Sequence, residues 1–288
     1  MNRKPIFIAI LVLALVTMAC GINIDLPQDV KTGPTQTDEI NVPLPDDTQV
    51  VTDLSLTFGG GNLELAPGAE GALVSGSASY NVADFKPKVT TSGNVVKIEQ
   101  GNYNLRGVPN FKDKVINDWN LKLAGVPTDL RINAGAYSGN YEFGGLSLQR
   151  LTISDGAADV NLAFSELNQS EMSVFEYNTG ASNVTLEGLA NANIDTLTFR
   201  SGAGTYKLDF SGTLQRDMTV DIESGMSTIT IIVPEGFSAR VEFDGGLSNV
   251  SASGAWEESG STYTLAGSGP TIKILVTMAA GNLDLRTE

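Results

Sequence analysis

The 288-residue chain contains no histidine and a single cysteine, Cys20. Those shortages remove the commonest ligands of a transition-metal site and the Ser-His and Cys-His dyads of nucleophilic catalysis. An internal disulfide is excluded as well. Basic side chains are outnumbered, 18 Lys and Arg against 33 Asp and Glu, for a formal net charge of −15. A surface of that sign repels phosphate backbones and excludes nucleic acid as a partner. Aromatic residues are also few, at 7%. What the chain has in quantity is glycine, 31 residues, and a hydrophobic share of 41%, enough for a sizeable core and incompatible with disorder throughout.

The first residues read as an address. Arg3 and Lys4 precede an apolar run from Ile6 to Val16, too short to cross a bilayer as a helix, which takes about 20 residues. The run ends in Thr17-Met18-Ala19-Cys20. This resembles the lipobox of bacterial lipoproteins, which implies cleavage after residue 19 and lipidation of Cys20. Acyl chains there would anchor the protein to a membrane at its extracytoplasmic face. Residues 20–49 carry Pro27, Pro34, Pro43 and Pro45 among polar and acidic residues without an apolar period, and they are expected to form a tether.

A repeat dominates the remainder, 50–288. Take a glycine and look five and three residues before it, then four and six after. Gly156 gives Leu151, Ile153, Val160 and Leu162; Gly180 gives Phe175, Tyr177, Val184 and Leu186; Gly202 gives Leu197, Phe199, Tyr206 and Leu208; Gly225 gives Val220, Ile222, Ile229 and Ile231. The pattern recurs at Gly59, Gly135 and Gly246, and around Ala279. Of the 32 positions in these eight copies only Gly139 is not apolar, and the residues between them are almost all polar. Strict alternation is the signature of strands with one face buried. The glycine is expected to mark a turn between two strands, at a position requiring positive φ.

From Gly135 to Gly246 the glycines are spaced by 21 to 24 residues. That interval fits one coil of a stack, so the fold class is all-β, a single-stranded right-handed β-helix-like solenoid of 21–24-residue coils. A third short strand is expected in each coil, lined by Leu146 and Leu148, Leu189, Phe210 and Val233. One hairpin per repeat, giving a meander or propeller-like sheet, is the rival geometry. Residues 129–288 are the regular coils. Residues 50–128 are irregular but hold strand-like segments at 78–82, 95–99 and 119–123. These residues and the excursion around Trp256 are expected to cap the two open ends.

The stretch from about Leu54 onward resembles the toast-rack family of bacterial exported domains of unknown function. The resemblance lies in Leu56-Thr57-Phe58-Gly59-Gly60-Gly61, in Trp119-Asn120-Leu121-Lys122-Leu123, in Pro127 with Leu130 to Ala136, and in turns such as Ser201-Gly202-Ala203-Gly204. It implies a β-helical, non-catalytic module at the cell envelope, related to C-terminal domains of cell-wall-active antibiotic response proteins and to adhesins.

The sequence offers three candidate site chemistries. Asp221 and Glu242, outward on neighbouring repeats, have the carboxylate spacing a glycosidase needs, but acids fall into such registers by chance. The residues three after each pivot (Asn62, Asp159, Asn183, Thr205, Thr228, Asn249, Asn282) are expected to bond one another or their turns rather than calcium. Tyr137, Tyr141 and Phe143 could stack on sugars, yet alternation sends the latter two into the core. The expectation is a non-enzymatic binding, structural or adhesin-like protein with no cofactor and no metal. Its partners would be the membrane and an envelope protein or glycan. An envelope-stress component docking on a membrane sensor and a carbohydrate-active β-helix enzyme are the alternatives.

Overall fold

The computed structural model describes residues 31–101 and 114–288. In chain order its strands are β1 (Gln36–Pro43), β2 (Thr52–Pro67), β3 (Ala72–Tyr80), β4 (Lys88–Ser92), β5 (Val95–Glu99), β6 (Asn117–Leu123), β7 (Thr128–Glu142), β8 (Leu148–Asp155) and β9 (Ala157–Ala163). They continue with β10 (Met172–Glu187), β11 (Ile194–Asp209), β12 (Met218–Val233), β13 (Ser238–Ser253), β14 (Glu257–Ser259), β15 (Thr262–Leu265) and β16 (Thr271–Thr287). Each glycine-centred copy is one long strand bent at its middle, or two short ones in the case of β8 and β9.

The copies stack in parallel and in register. Phe175 lies beside Leu197, Leu197 beside Val220, and Val220 beside Ile274; one step along, Tyr177, Phe199, Ile222 and Val276 form the next column. These side chains are buried, and each is worth about 2 kcal/mol relative to exposure. The result is a β-solenoid with one continuous core. Pairing runs from coil to coil, so the hairpin-per-repeat geometry is excluded.

The pivot glycine is not a positive-φ turn. None of Gly59, Gly135, Gly156, Gly180, Gly202, Gly225 or Gly246 has the left-handed backbone. What Gly135, Gly156, Gly180, Gly202 and Gly225 share is close approach to the carbonyl of the neighbouring coil's pivot. A Cβ on Gly180 would lie 2.4 Å from the carbonyl oxygen of Gly156, and one on Gly202 would lie 2.6 Å from that of Gly180. The bend itself is a slip in alternation. Thr179 and Ser182 both point inward, leaving Gly180 and Ala181 exposed in succession at the corner. At Gly135, Gly180, Gly202 and Gly225 the stack spacing leaves no room for a methyl group, whereas Gly246 has room for one and the equivalent Ala279 carries one.

Three further expectations need correction. The proposed tether contains β1, which pairs antiparallel with β3 and buries Ile40 and Val42, so the folded part begins by about residue 36. The third strand of each coil is absent as a separate element among the described residues. Leu146, Leu189 and Phe210 are buried in connections, one of them a 3-10 turn, whereas Leu148 and Val233 belong to β8 and β12. The coils also do not stack in chain order: β16 lies between β12 and β13. The physical reason lies in the side chains. Inward positions of β16 are Ile272, Ile274, Val276, Met278, Leu283 and Leu285, all buried, while the second half of β13 offers Val250 and Ala252. The more apolar strand takes the interior place.

Irregular segments close the β2 end and cover the β13 end in part. On the outer side of β2, β5 and β4 cover its first half and β6, β3 and β1 its second. At the opposite end β15 pairs with Ala239–Glu242 of β13, and β14 pairs with β15. Trp256 packs against the core there.

Candidate functional site

Cys20 lies outside the described residues. Asp221 and Glu242 are placed, and they are not on neighbouring coils. Both pair with Leu275 of the inserted β16, Asp221 from one side and Glu242 from the other. They are therefore two strand spacings apart, about 9.6 Å, with a half-exposed leucine between them. Glu242 is held by Arg240 at 2.9 Å.

The residues three after each pivot face outward, and some do bond across coils. Asn62 donates to Asp118 at 2.6 Å, and Asn249 contacts Asn282 at 3.5 Å. Two residues further on, Ser251 donates to Asp284 at 2.8 Å. Among the described residues no three His, Cys, Asp or Glu side chains group as metal ligands would. A charged ladder runs along the first halves of the strands, where Arg200 bridges Glu176 at 3.4 Å and Glu223 at 3.3 Å in the flanking coils.

Tyr141 and Phe143 are in the core, stacked with centroids 5.6 Å apart, and Tyr137 is nearly as buried. They fill the column rather than line a sugar platform.

One polar cluster escaped the sequence reading. Asp155, the residue before Gly156, turns into the corner of the coil and collects hydroxyls from the coils on both sides. Tyr177 donates to Oδ2 at 2.9 Å and Tyr137 at 3.3 Å, while Thr179 donates to Oδ1. Thr179 also bonds Ser182 at 2.6 Å, whose Oγ accepts from the Ala158 N–H. Burial pushes the Asp155 carboxyl above its ordinary range, and the four hydroxyls of Thr179, Tyr177, Tyr137 and Ser182 pull against that. Among the described residues no cation joins the cluster, which staples three coils through neutral donors. Its warning in the sequence was that the residue before the pivot, elsewhere Phe58, Ala134, Thr179, Ser201, Ser224, Gly245 or Met278, is here an acid.

Two cavities lie at the β1 end. One of about 270 Å³ is lined by Leu44, Asp46, Thr52, Leu73, Thr91 and Val96, among others, and another of about 250 Å³ by Gln36, Tyr80 and Asn81. Neither includes Asp221 or Glu242.

Residues 31–187 and again 166–232 match the N-terminal domain of toast_rack, a domain of unknown function. The chain belongs to the toast-rack family. Two overlapping matches are what an internal repeat produces, since one coil can be aligned on another. No curated protein matches this toast-rack chain. Among solved structures it is similar to a "putative cell adhesion protein" from Clostridium sporogenes ATCC 15579. That protein is 18% identical over 88% of this chain and 100% of the other, with a TM-score of 0.49. It is similar also to an adhesin, so described with the same qualifier, from Bacteroides fragilis NCTC 9343, 11% identical over 90% and 99% with a TM-score of 0.37. A third, described in the same way as a lipid binding protein from Parabacteroides distasonis ATCC 8503, is 11% identical over 89% and 99% with a TM-score of 0.39.

Proposed function

We propose that this toast-rack protein is a lipid-anchored, extracytoplasmic solenoid whose work is binding or display at the cell envelope, adhesin-like in kind, rather than catalysis. The leader carries the reading: a basic start, an apolar run of secretory length and a lipobox-like end at Cys20. The position of β1 adds a dimension. If the acyl chains sit on Cys20, at most 16 residues separate them from Gln36, a reach of about 55 Å at full extension. The β1 end then stands nearest the lipid, and the β13 end points away from it.

The separation of Asp221 from Glu242 by Leu275, on an exposed sheet face, supports the non-enzymatic part. Glycosidase carboxylates flank a substrate bound in a cleft, and the cavities described lie elsewhere.

Substituting Cys20→Ala tests the anchor. The protein should move to the soluble fraction and lose labelling by a fatty-acid precursor; unchanged membrane retention would refute the reading. Cleavage of glycans or wall fragments by the purified chain would refute the non-enzymatic part.

A further inference from the structure

The two ends of the stack are finished differently. At the β1 end the outermost strand carries Asp38, Glu39 and Pro43, the charges and proline that discourage further pairing. At the other end β15 covers only Ala239–Glu242 of β13, and the Phe243 N–H donates to the Ser261 carbonyl at 2.9 Å. Beyond that point the chain from Asp244 to Ser253 pairs inward with β16 and has no ladder partner on its outer side among the described residues. Ten residues of open edge carry one charge, no lysine and no proline.

The side chains around this edge have the marks of an unfinished contact. Leu247 is 84% exposed, and Met226, two coils inward on the same corner with Ala280 between them, is 69% exposed. Val250, an inward position, is only partly buried. The buried hydroxyl of Ser248 and the indole N–H of Trp256 have no partner among the described residues. From Val241 to Pro270 the sequence holds four carboxylates, Glu242, Asp244, Glu257 and Glu258, and no Lys or Arg. Arg240 satisfies Glu242, whereas no ion pair involves the other three among the described residues.

We propose that the outer edge of β13, Asp244–Ser253, is a docking edge for an extended, basic polypeptide segment of a partner protein. Such a segment adds one more strand to the stack and takes its affinity from main-chain hydrogen bonds. Strand alternation then fixes its chemistry. Side chains on one face cover Val250, Ala252 and Ser248, so they are apolar or small; those on the other face lie over an acidic end, so they are Lys or Arg. Charge decides against a second copy as the occupant, because each chain carries a formal net charge of −15 and like-charged chains repel. The proposal deepens the display role by placing its contact at the end that the lipid-anchor reading points outward.

The test is hydrogen–deuterium exchange of the purified chain with a ten-residue probe peptide, Thr-Lys-Val-Lys-Thr-Lys-Val-Lys-Thr-Lys, and its counterpart with Glu in place of every Lys. The basic peptide should slow exchange within residues 244–253 at least tenfold, and the acidic one should not. The double substitution Asp244→Lys and Asn249→Lys, both at exposed positions, should abolish the protection without changing the melting temperature. Equal protection by the acidic peptide, or none by the basic one, overturns the proposal. So does a chain that sediments as a dimer with this edge already protected. None of these readouts involves Cys20, so failure here leaves the anchor standing, and failure of the anchor leaves this edge standing.

Discussion

The glycine ladder gives the sharpest single-residue expectation, because two glycines in equivalent positions should respond oppositely to alanine. In Gly202→Ala the new Cβ lies 2.6 Å from the Gly180 carbonyl oxygen. Relief to ordinary contact needs a local displacement of about 0.8 Å between coils packed tightly on both sides. Overpacking of this kind costs about 1–3 kcal/mol, and the reduced entropy of the unfolded chain returns about 0.4–1 kcal/mol. The net loss is about 1–2 kcal/mol, or about 2–8 °C in melting temperature for a domain of this size. In Gly246→Ala the nearest atom is the Ala279 carbonyl oxygen at 3.5 Å, an ordinary contact, so only the entropic gain remains and stability should hold or rise slightly. Urea unfolding of the two variants beside the parent chain is the assay. Equal destabilisation by both would refute the steric explanation and return the pivots to the role of conformational turns.

Two other outcomes follow from the core. Because burial raises the carboxyl of Asp155, its contribution to stability is largest below the unfolded carboxylate pKa of about 4 and is lost as pH rises through the folded value. The stability of Asp155→Asn relative to the parent should therefore increase with pH above about 4, and a difference that stays flat from pH 3 to 7 would contradict that. Ile222→Asp places an unpaired charge between Phe199 and Val276 in a fully buried column, and should cost about 3–5 kcal/mol; an unaltered melting curve would show that the position does not face inward.

The core was legible because it obeys one period. Tyr177, Phe199 and Ile222 could be assigned inward from alternation alone, since a strand has only two faces and one of them was consistently apolar. The pivot was misread for a reason rooted in context: glycine serves both positive φ and close backbone approach, and only the neighbouring coil distinguishes them. β1 was missed because two alternating residues, Ile40 and Val42, next to Pro43 carry too little signal without the partner β3. The insertion of β16 left a trace in the contrast between Leu283 with Leu285 and Val250 with Ala252, but chain order suggested otherwise. Asp155 was visible only as an acid at a position where its equivalents are small, hydroxylated or apolar, and its hydroxyl partners come from coils more than twenty residues on and nearly as many back.

Cysteine cross-linking tests the in-register stack and its unexpected coil order most directly. On a Cys20→Ala background, paired cysteines are placed at Thr230 and Asp284, at Asp284 and Ser251, and at Thr230 and Ser251. The first two pairs sit in register on adjacent strands, about 4.8 Å apart, within disulfide reach; the third spans two spacings, beyond the limit of about 7 Å. The structure requires rapid oxidation of the first two pairs and none of the third. Efficient cross-linking of Thr230→Cys to Ser251→Cys, with the Thr230→Cys and Asp284→Cys pair left as free thiols, would mean that the coils stack in chain order, contradicting the fold described.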